Sequence, residues 1–180
     1  MLLLMLKKYL KILMIFLSLS AGKLISFGTD LNLQFPAEWN KAKEIKYSQG
    51  FNKPAPRDFV GFGPLTEPEA LCIYDFTLMH NFRLIITFHT QGQEIYWNFQ
   101  NINPQSGYTI ANKFAEISGY SVAEVPYNSS FAGFKDWFIQ DYNRPGFTIE
   151  AGLGENPLPL EQFDQIYIDN LGILILGAIL

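Results

Sequence analysis

From residue 66 onward, short continuous apolar runs alternate with stretches in which apolar residues recur every three or four positions. That alternation predicts strands interleaved with helices. Phe82 to His89 (FRLIITFH) is apolar and β-branched over a strand's length, the pattern of a central strand covered on both faces. Glu94 to Phe99 (EIYWNF) predicts a second strand, and Phe147 to Glu150 a short third one. Thr66-x-x-Glu69 is a capping box that opens a helix, with Pro68 tolerated in its first turn, and the helix is expected to run to about His80. Further helices are expected over 107–118, closed by Gly119, over about 132–142, broken by Pro145-Gly146, and over 160–178. Upstream, Asp30 to Trp39 (DLNLQFPAEW) reads as a short extended stretch ending in a turn at Pro36. Lys41 to Gly63, with Gly50, Pro54, Pro56 and Gly61, reads as a surface loop. The fold class is α/β, a central sheet flanked by helices.

The first 25 residues follow another pattern. Lys7, Lys8 and Lys11 precede an apolar run from Ile12 to Leu19, and the small residues Ser20, Ala21 and Gly22 follow it. Those are the parts of a secretory signal. A membrane-spanning helix needs about 20 apolar residues, and Lys11 and Lys23 bracket a shorter run. An export signal, a membrane anchor and an accidental start all remain open for residues 1–25, and the domain proper is read as 26–180. A true signal would place the protein outside the cell or in its envelope; without one it would be cytoplasmic.

Composition narrows the function classes. A length of 180 residues favours one domain, two at most. With 48% hydrophobic and 17% charged residues the chain cannot be disordered. Thirteen Lys+Arg against seventeen Asp+Glu leave no basic surplus for a phosphate backbone, which excludes nucleic acid as a partner. The single cysteine, Cys72, allows no internal disulfide and no Cys/His zinc spacing; inside a helix, it is expected to be a buried small hydrophobe. Trp97 and Trp137 are expected in the core, and Gly61-x-Gly63 and Gly152-x-Gly154 as turns. Leu171 to Leu180 is too short to span a bilayer and reads as a buried last helix.

Two histidines exist. His80 sits at a helix end, where the dipole favours a cation, and reads as structural. His89 closes a central strand and Glu150 closes another, and in open α/β sheets sites form beyond the carboxyl ends of strands. A partly desolvated carboxylate at Glu150 would be raised toward the range a general base needs. The ordinary alternatives are a satisfied polar His89 and a Glu150 held by an arginine such as Arg144.

The strings FHTQGQEIYW and FAGFKDWFIQDYNRPGFTIEAGLGENPLP, with DLNLQFPAEW, PRDFVGFGPLTEPEA and NPLPLEQFDQIY, resemble the carboxy-terminal half of the zinc carboxypeptidase family. Within it they are similar to the bacterial γ-D-glutamyl-L-diamino acid endopeptidases, which cut peptidoglycan stem peptides. The resemblance runs over about residues 28 to 176 and implies a mixed central sheet flanked by helices. It implies that His89 is the third zinc ligand and Glu150 the general base and acid. It also implies that the loop before Asp136-Trp137 lines the substrate pocket, that Tyr127 or Asn128 helps hold the substrate, and that Asn32 touches its carboxylate. Leu33 stands where many carboxypeptidases carry a substrate-binding arginine.

The family's chemistry is hydrolysis assisted by zinc held on three protein ligands, with one position open for water. Its first two ligands should come from a His-x-x-Glu motif upstream of Asp30, where an oxyanion arginine also belongs. His80 is followed by Asn81-Phe82-Arg83 and His89 by Thr90-Gln91-Gly92, so neither supplies that glutamate. The expected fold therefore lacks the family's amino-terminal half, and a central strand should be left as an exposed edge. Three readings follow: a peptidase chain whose upstream half is missing, a half-enzyme completed by a partner chain carrying His-x-x-Glu, and a non-catalytic peptidoglycan-binding module.

Overall fold

The computed structural model describes residues 12–16, 24–25 and 28–180. Their strands are β1 Ile12–Phe16, β2 Leu24–Ile25, β3 Thr29–Asp30, β4 Leu84–His89, β5 Glu94–Tyr96, β6 Ser121–Ala123 and β7 Gly146–Glu150. Their α-helices are α1 Trp39–Ser48, α2 Pro68–Met79, α3 Gly107–Ser118, α4 Phe134–Tyr142 and α5 Phe163–Ile179. Five strands make one mixed sheet in the order β1-β4-β7-β5-β6. β1, β4 and β7 run parallel, β5 is antiparallel to β7, and β6 is parallel to β5. β2 and β3 pair separately.

The leader expected over residues 1–25 lies for the most part outside the described residues, but its Ile12–Phe16 form β1. That strand changes one expectation. β4 is not left as an exposed edge: β1 pairs with it from Leu84 to Phe88, and β7 pairs with it on the other side. Among the described residues no helix is long and apolar enough to cross a membrane.

Because side chains alternate across a strand, β4 divides its residues between two cores. Leu84, Ile86 and Phe88 join Phe147, Ile149 and Ile95 on the face covered by Ile110 and Phe114 of α3 and Ile173 of α5. Ile85 faces the other way, toward Trp137, Phe138 and Ile139 of α4, with Phe35, Trp39 and Ala42 beyond. Trp137 is fully buried as expected, whereas Trp97 is half-buried against the Tyr108 ring, 5.2 Å away between centroids.

Four local expectations are corrected. Lys41 to Gly63 is not all loop, since α1 runs through Ser48. Its glycines and prolines all come after Gln49, while Trp39, Ala42 and Lys46, spaced by three and four, bury one helical face. The Thr66–Glu69 capping box does not form. The helix starts at Pro68, and the buried Gln34 supplies the acceptor: its Oε1 receives Thr66 N at 2.9 Å, Glu67 N at 3.2 Å and Thr66 Oγ1 at 3.1 Å. Cys72 is exposed rather than buried, because α2 turns Ala70 and Thr77 inward instead. The last helix buries one stripe only, Asp169, Asn170, Ile173 and Gly177, leaving Leu171, Ile175 and Ile179 exposed.

Candidate functional site

The face of the sheet under α4 changes character along its length. β4 presents Ile85, Thr87 and His89 there, and β7 presents Gly146, Thr148 and Glu150, each pair in register. The apolar end is closed by α4, and the polar end opens at the carboxyl ends of both strands, where such sheets carry their sites. Gly146 has a steric reason: a Cβ there would lie 3.3 Å from Lys135 Cγ and 3.2 Å from Ile139 Cγ1, so glycine lets the lysine stem cross the strand.

β5 widens this floor. Its Tyr96 pairs with Thr148 and its Glu94 pairs with Glu150. Two rows result: Thr87, Thr148 and Tyr96 in one, and His89, Glu150 and Glu94 in the next, at the carboxyl ends of β4 and β7. Thr87 Oγ1 donates to Phe147 O at 3.0 Å and lies 3.0 Å from Thr148 Oγ1. The Tyr96 hydroxyl donates to Glu94 Oε2 at 2.5 Å. Burial first, then that bond and the charges of Glu94 and Glu150, push the Tyr96 phenol well above its usual range. Tyr96 therefore stays protonated.

Above the floor lies a cavity of about 470 Å³, whose lining includes His89, Glu150, Tyr96 and both threonines. One wall is held by charge. Lys46 Nζ lies 2.6 Å from Asp58 Oδ1 and Arg57 Nε 2.7 Å from Asp58 Oδ2. Burial pushes the Asp58 carboxyl up, but the hydrogen bonds from Lys46 and Arg57 outweigh it and hold the group below its usual range. Asp58 N donates to Asp30 Oδ2 at 3.0 Å, and Asp30 Oδ1 accepts Asn32 N at 3.1 Å, which fixes the short turn carrying Asn32. The buried pair Lys135–Asp136 also lines the cavity, with Nζ 2.5 Å from Asp136 Oδ1 and donating to Asn98 O at 2.6 Å.

The structure gathers His89, Glu150, Asn32 and Asn128 around this one cavity. Asn32 brings a side-chain donor, Nδ2, that is buried without a hydrogen-bond partner among the described residues. Tyr127 is elsewhere. Consecutive residues of the 3₁₀ turn Tyr127–Ser129 point about 120° apart, and Tyr127 lines a neighbouring cavity with Glu38 and Gln140, its ring edge-on to Phe131. Arg144 does not hold Glu150: it lies before the other end of β7, and its guanidinium donates to Asn81 Oδ1 and Phe82 O, each at 2.6 Å. His80 ends α2, with Nδ1 2.7 Å from Phe76 O and its ring against Phe82, a structural place as expected. Sequence reading missed Tyr96 and Glu94, whose place beside Glu150 is set by the antiparallel register of β5 on β7, which no local pattern announces. It also missed Lys46, Asp58 and Lys135, which reach the cavity through long-range contacts that no local motif announces.

The loop beyond His89 is tied to the loop beyond Glu150. Ala151 N donates to His89 O and Gly92 N to Gly152 O, both at 2.8 Å, and Asn156 Nδ2 donates to Thr90 O at 3.1 Å. These bonds fix the two strand ends relative to each other.

A zinc site needs about three protein donors. Among the described residues no three His, Cys, Asp or Glu side chains gather closely enough to hold a metal ion. The other residues, 1–11, 17–23 and 26–27, include none of those four types. His89 is the cavity's imidazole, and these 180 residues do not by themselves fit a three-donor zinc site.

Comparison with known proteins agrees with this fold. The model of the zinc carboxypeptidase family matches residues 17–171. Gamma-D-glutamyl-L-diamino acid endopeptidase 1 of Lysinibacillus sphaericus is 47% identical over 153 residues, 85% of this chain and 37% of that protein. Among solved structures, carboxypeptidase A from Helicoverpa armigera superposes with a TM-score of 0.65 at 19% identity, over 84% of this chain and 41% of that one. The murein-tripeptide amidase MpaA from Escherichia coli O157 gives 0.52 at 18% identity, over 84% of this chain and 60% of that one. The two structures establish the fold. The chain thus spans little more than a third of the length of the curated relative that it matches.

Proposed function

The chain belongs to the zinc carboxypeptidase family, and we propose that it forms the base-bearing, substrate-holding part of a peptidase that cuts peptidoglycan stem peptides between γ-D-glutamate and a diamino acid. The observation that carries this reading is the pairing of His89 with Glu150 at the mouth of a closed-floored polar cavity. The substrate class is drawn from the relative's activity on γ-D-glutamyl-L-diamino acid bonds.

Glu150 is placed to take a proton from the attacking water and return it to the amine that leaves when the amide C–N bond breaks. Asn32 Nδ2, buried and without a partner among the described residues, is a donor suited to a substrate carboxylate. Asn128 borders the same space from the 3₁₀ turn Tyr127–Ser129 and helps orient the peptide. Zinc, as the family uses it, would activate the water and polarise the carbonyl. One imidazole does not hold that ion against its hydration, so the remaining donors come from polypeptide outside these 180 residues, continuous with them or separate. A non-catalytic peptidoglycan-binding module is the second reading, favoured by the lack of a three-donor cluster among the described residues.

The test is to titrate a γ-D-glutamyl-diaminopimelate peptide into the chain and then follow its cleavage with zinc and a polypeptide carrying a His-x-x-Glu segment of the family. Binding by the chain, with cleavage appearing only on complementation, supports the peptidase. Binding without cleavage in either case supports the module, and no binding refutes both.

A further inference from the structure

The cavity floor carries a polar pair that general-base chemistry does not use. Tyr96 lines the cavity, while Glu94, which is not among the lining residues, accepts its hydroxyl proton at 2.5 Å. That bond spends the hydroxyl's donor and leaves its oxygen lone pairs as acceptors. Glu94 also pairs directly with Glu150 across the strands, and Gly92, at φ 149°, adds no side chain beside them. The end of the floor bounded by Tyr96, Glu94 and Glu150 is thus acceptor-rich and negative. The Lys135 ammonium lies next along the floor, where its Nζ already bonds the carbonyl of Asn98, two residues past Tyr96, and is neutralised by Asp136.

We propose that Tyr96, backed by Glu94, is a specificity-determining residue that accepts a hydrogen bond from the free ammonium group of the substrate's diamino acid. The proposal rests on the peptidase reading and adds which substrate group the floor selects. An ammonium brings donors and no acceptor, matching a phenol oxygen whose proton points elsewhere. A hydrogen bond to a charged group is worth about tenfold or more in affinity. Glu94 acts through Tyr96 as a positioning residue and supplies the negative charge behind it.

The test compares binding to the 180-residue chain of two probes, γ-D-glutamyl-L-lysine and γ-D-glutamyl-L-norleucine, which differ in the terminal amine. The proposal expects the lysine peptide to bind about tenfold more tightly. In Tyr96→Phe the preference falls to about twofold or less, with norleucine-peptide affinity kept. Glu94→Gln retains an acceptor for the phenol and reduces the preference without abolishing it; added salt weakens the preference in the wild type. Equal binding of both peptides to the wild type, or a preference that survives Tyr96→Phe, overturns the proposal and leaves the peptidase reading standing. Binding of neither peptide overturns both.

Discussion

His89 and Glu150 are paired residues at the ends of two adjacent parallel strands, so imidazole and carboxylate leave the sheet on the same face and at the same level. Hydrogen bonds from Ala151 N to His89 O and from Gly92 N to Gly152 O lock the loops that follow. The pair is thus held by backbone. Glu150→Gln keeps the shape of the side chain and removes its proton-accepting charge. Peptide affinity should change little, while turnover of the complemented enzyme should fall about 10²-fold or more, the usual contribution of a general base. Parallel calorimetric and cleavage assays separate the two effects.

Lys135 and Asp136 are a buried ion pair, 4% exposed each. Removing one partner leaves an uncompensated buried charge, which costs about 3–5 kcal/mol. Lys135→Met keeps an unbranched stem over Gly146, so its loss should come mainly from charge. Urea unfolding should show that loss, and Lys135→Met combined with Asp136→Asn should recover part of it.

Asp58 makes stability depend on pH in a defined direction. Its folded-state value lies below the ordinary 3.8, after the Lys46 and Arg57 hydrogen bonds overcome the cost of burial. A depressed carboxylate stabilises the fold above its unfolded value and loses that contribution as pH falls through its folded value. Wild-type stability should therefore drop as pH goes below about 4, and Asp58→Asn should flatten that drop. Asparagine suits the test because it tolerates the left-handed φ of 69° at this position. Melting temperatures measured from pH 6 down to about pH 2.5 check it.

Gln34 joins three segments. Its Nε2 donates to Val60 O at 2.7 Å and Gly63 O at 3.2 Å, and its Oε1 caps the start of α2. Gln34→Leu fills the space but orphans buried backbone groups at about 1–3 kcal/mol each. The expected loss is about 3 kcal/mol in chemical unfolding, with raised hydrogen exchange at Thr66 and Glu67.

The legible parts of this fold are those that one periodicity decides alone. Phe82–His89 reads as a doubly covered strand because its apolar run has no polar face, and β4 buries Leu84, Ile86 and Phe88 on one side and Ile85 on the other. His89 and Glu150 are visible as strand ends, and their pairing places them on one cavity. The start of α2 was not legible, because Gln34 caps it from 32 residues away and outcompetes Glu69 for the role. β6 escaped notice because Ser121–Ala123 has no pattern of its own and exists by pairing with β5. The resemblance leaves Tyr127 and Asn128 as alternatives; the 3₁₀ turn separates them and brings Asn128 to the cavity.

The central claim is that these residues hold the peptide and carry the base while supplying one zinc donor, His89. The direct measurement is zinc content and cleavage of a γ-D-glutamyl-diaminopimelate peptide by the purified 180-residue chain after exposure to zinc and gel filtration. The account predicts well under one zinc per chain, peptide binding, and no cleavage until the missing donors are supplied. One firmly bound zinc per chain, with chelator-sensitive cleavage by the chain alone, would contradict it.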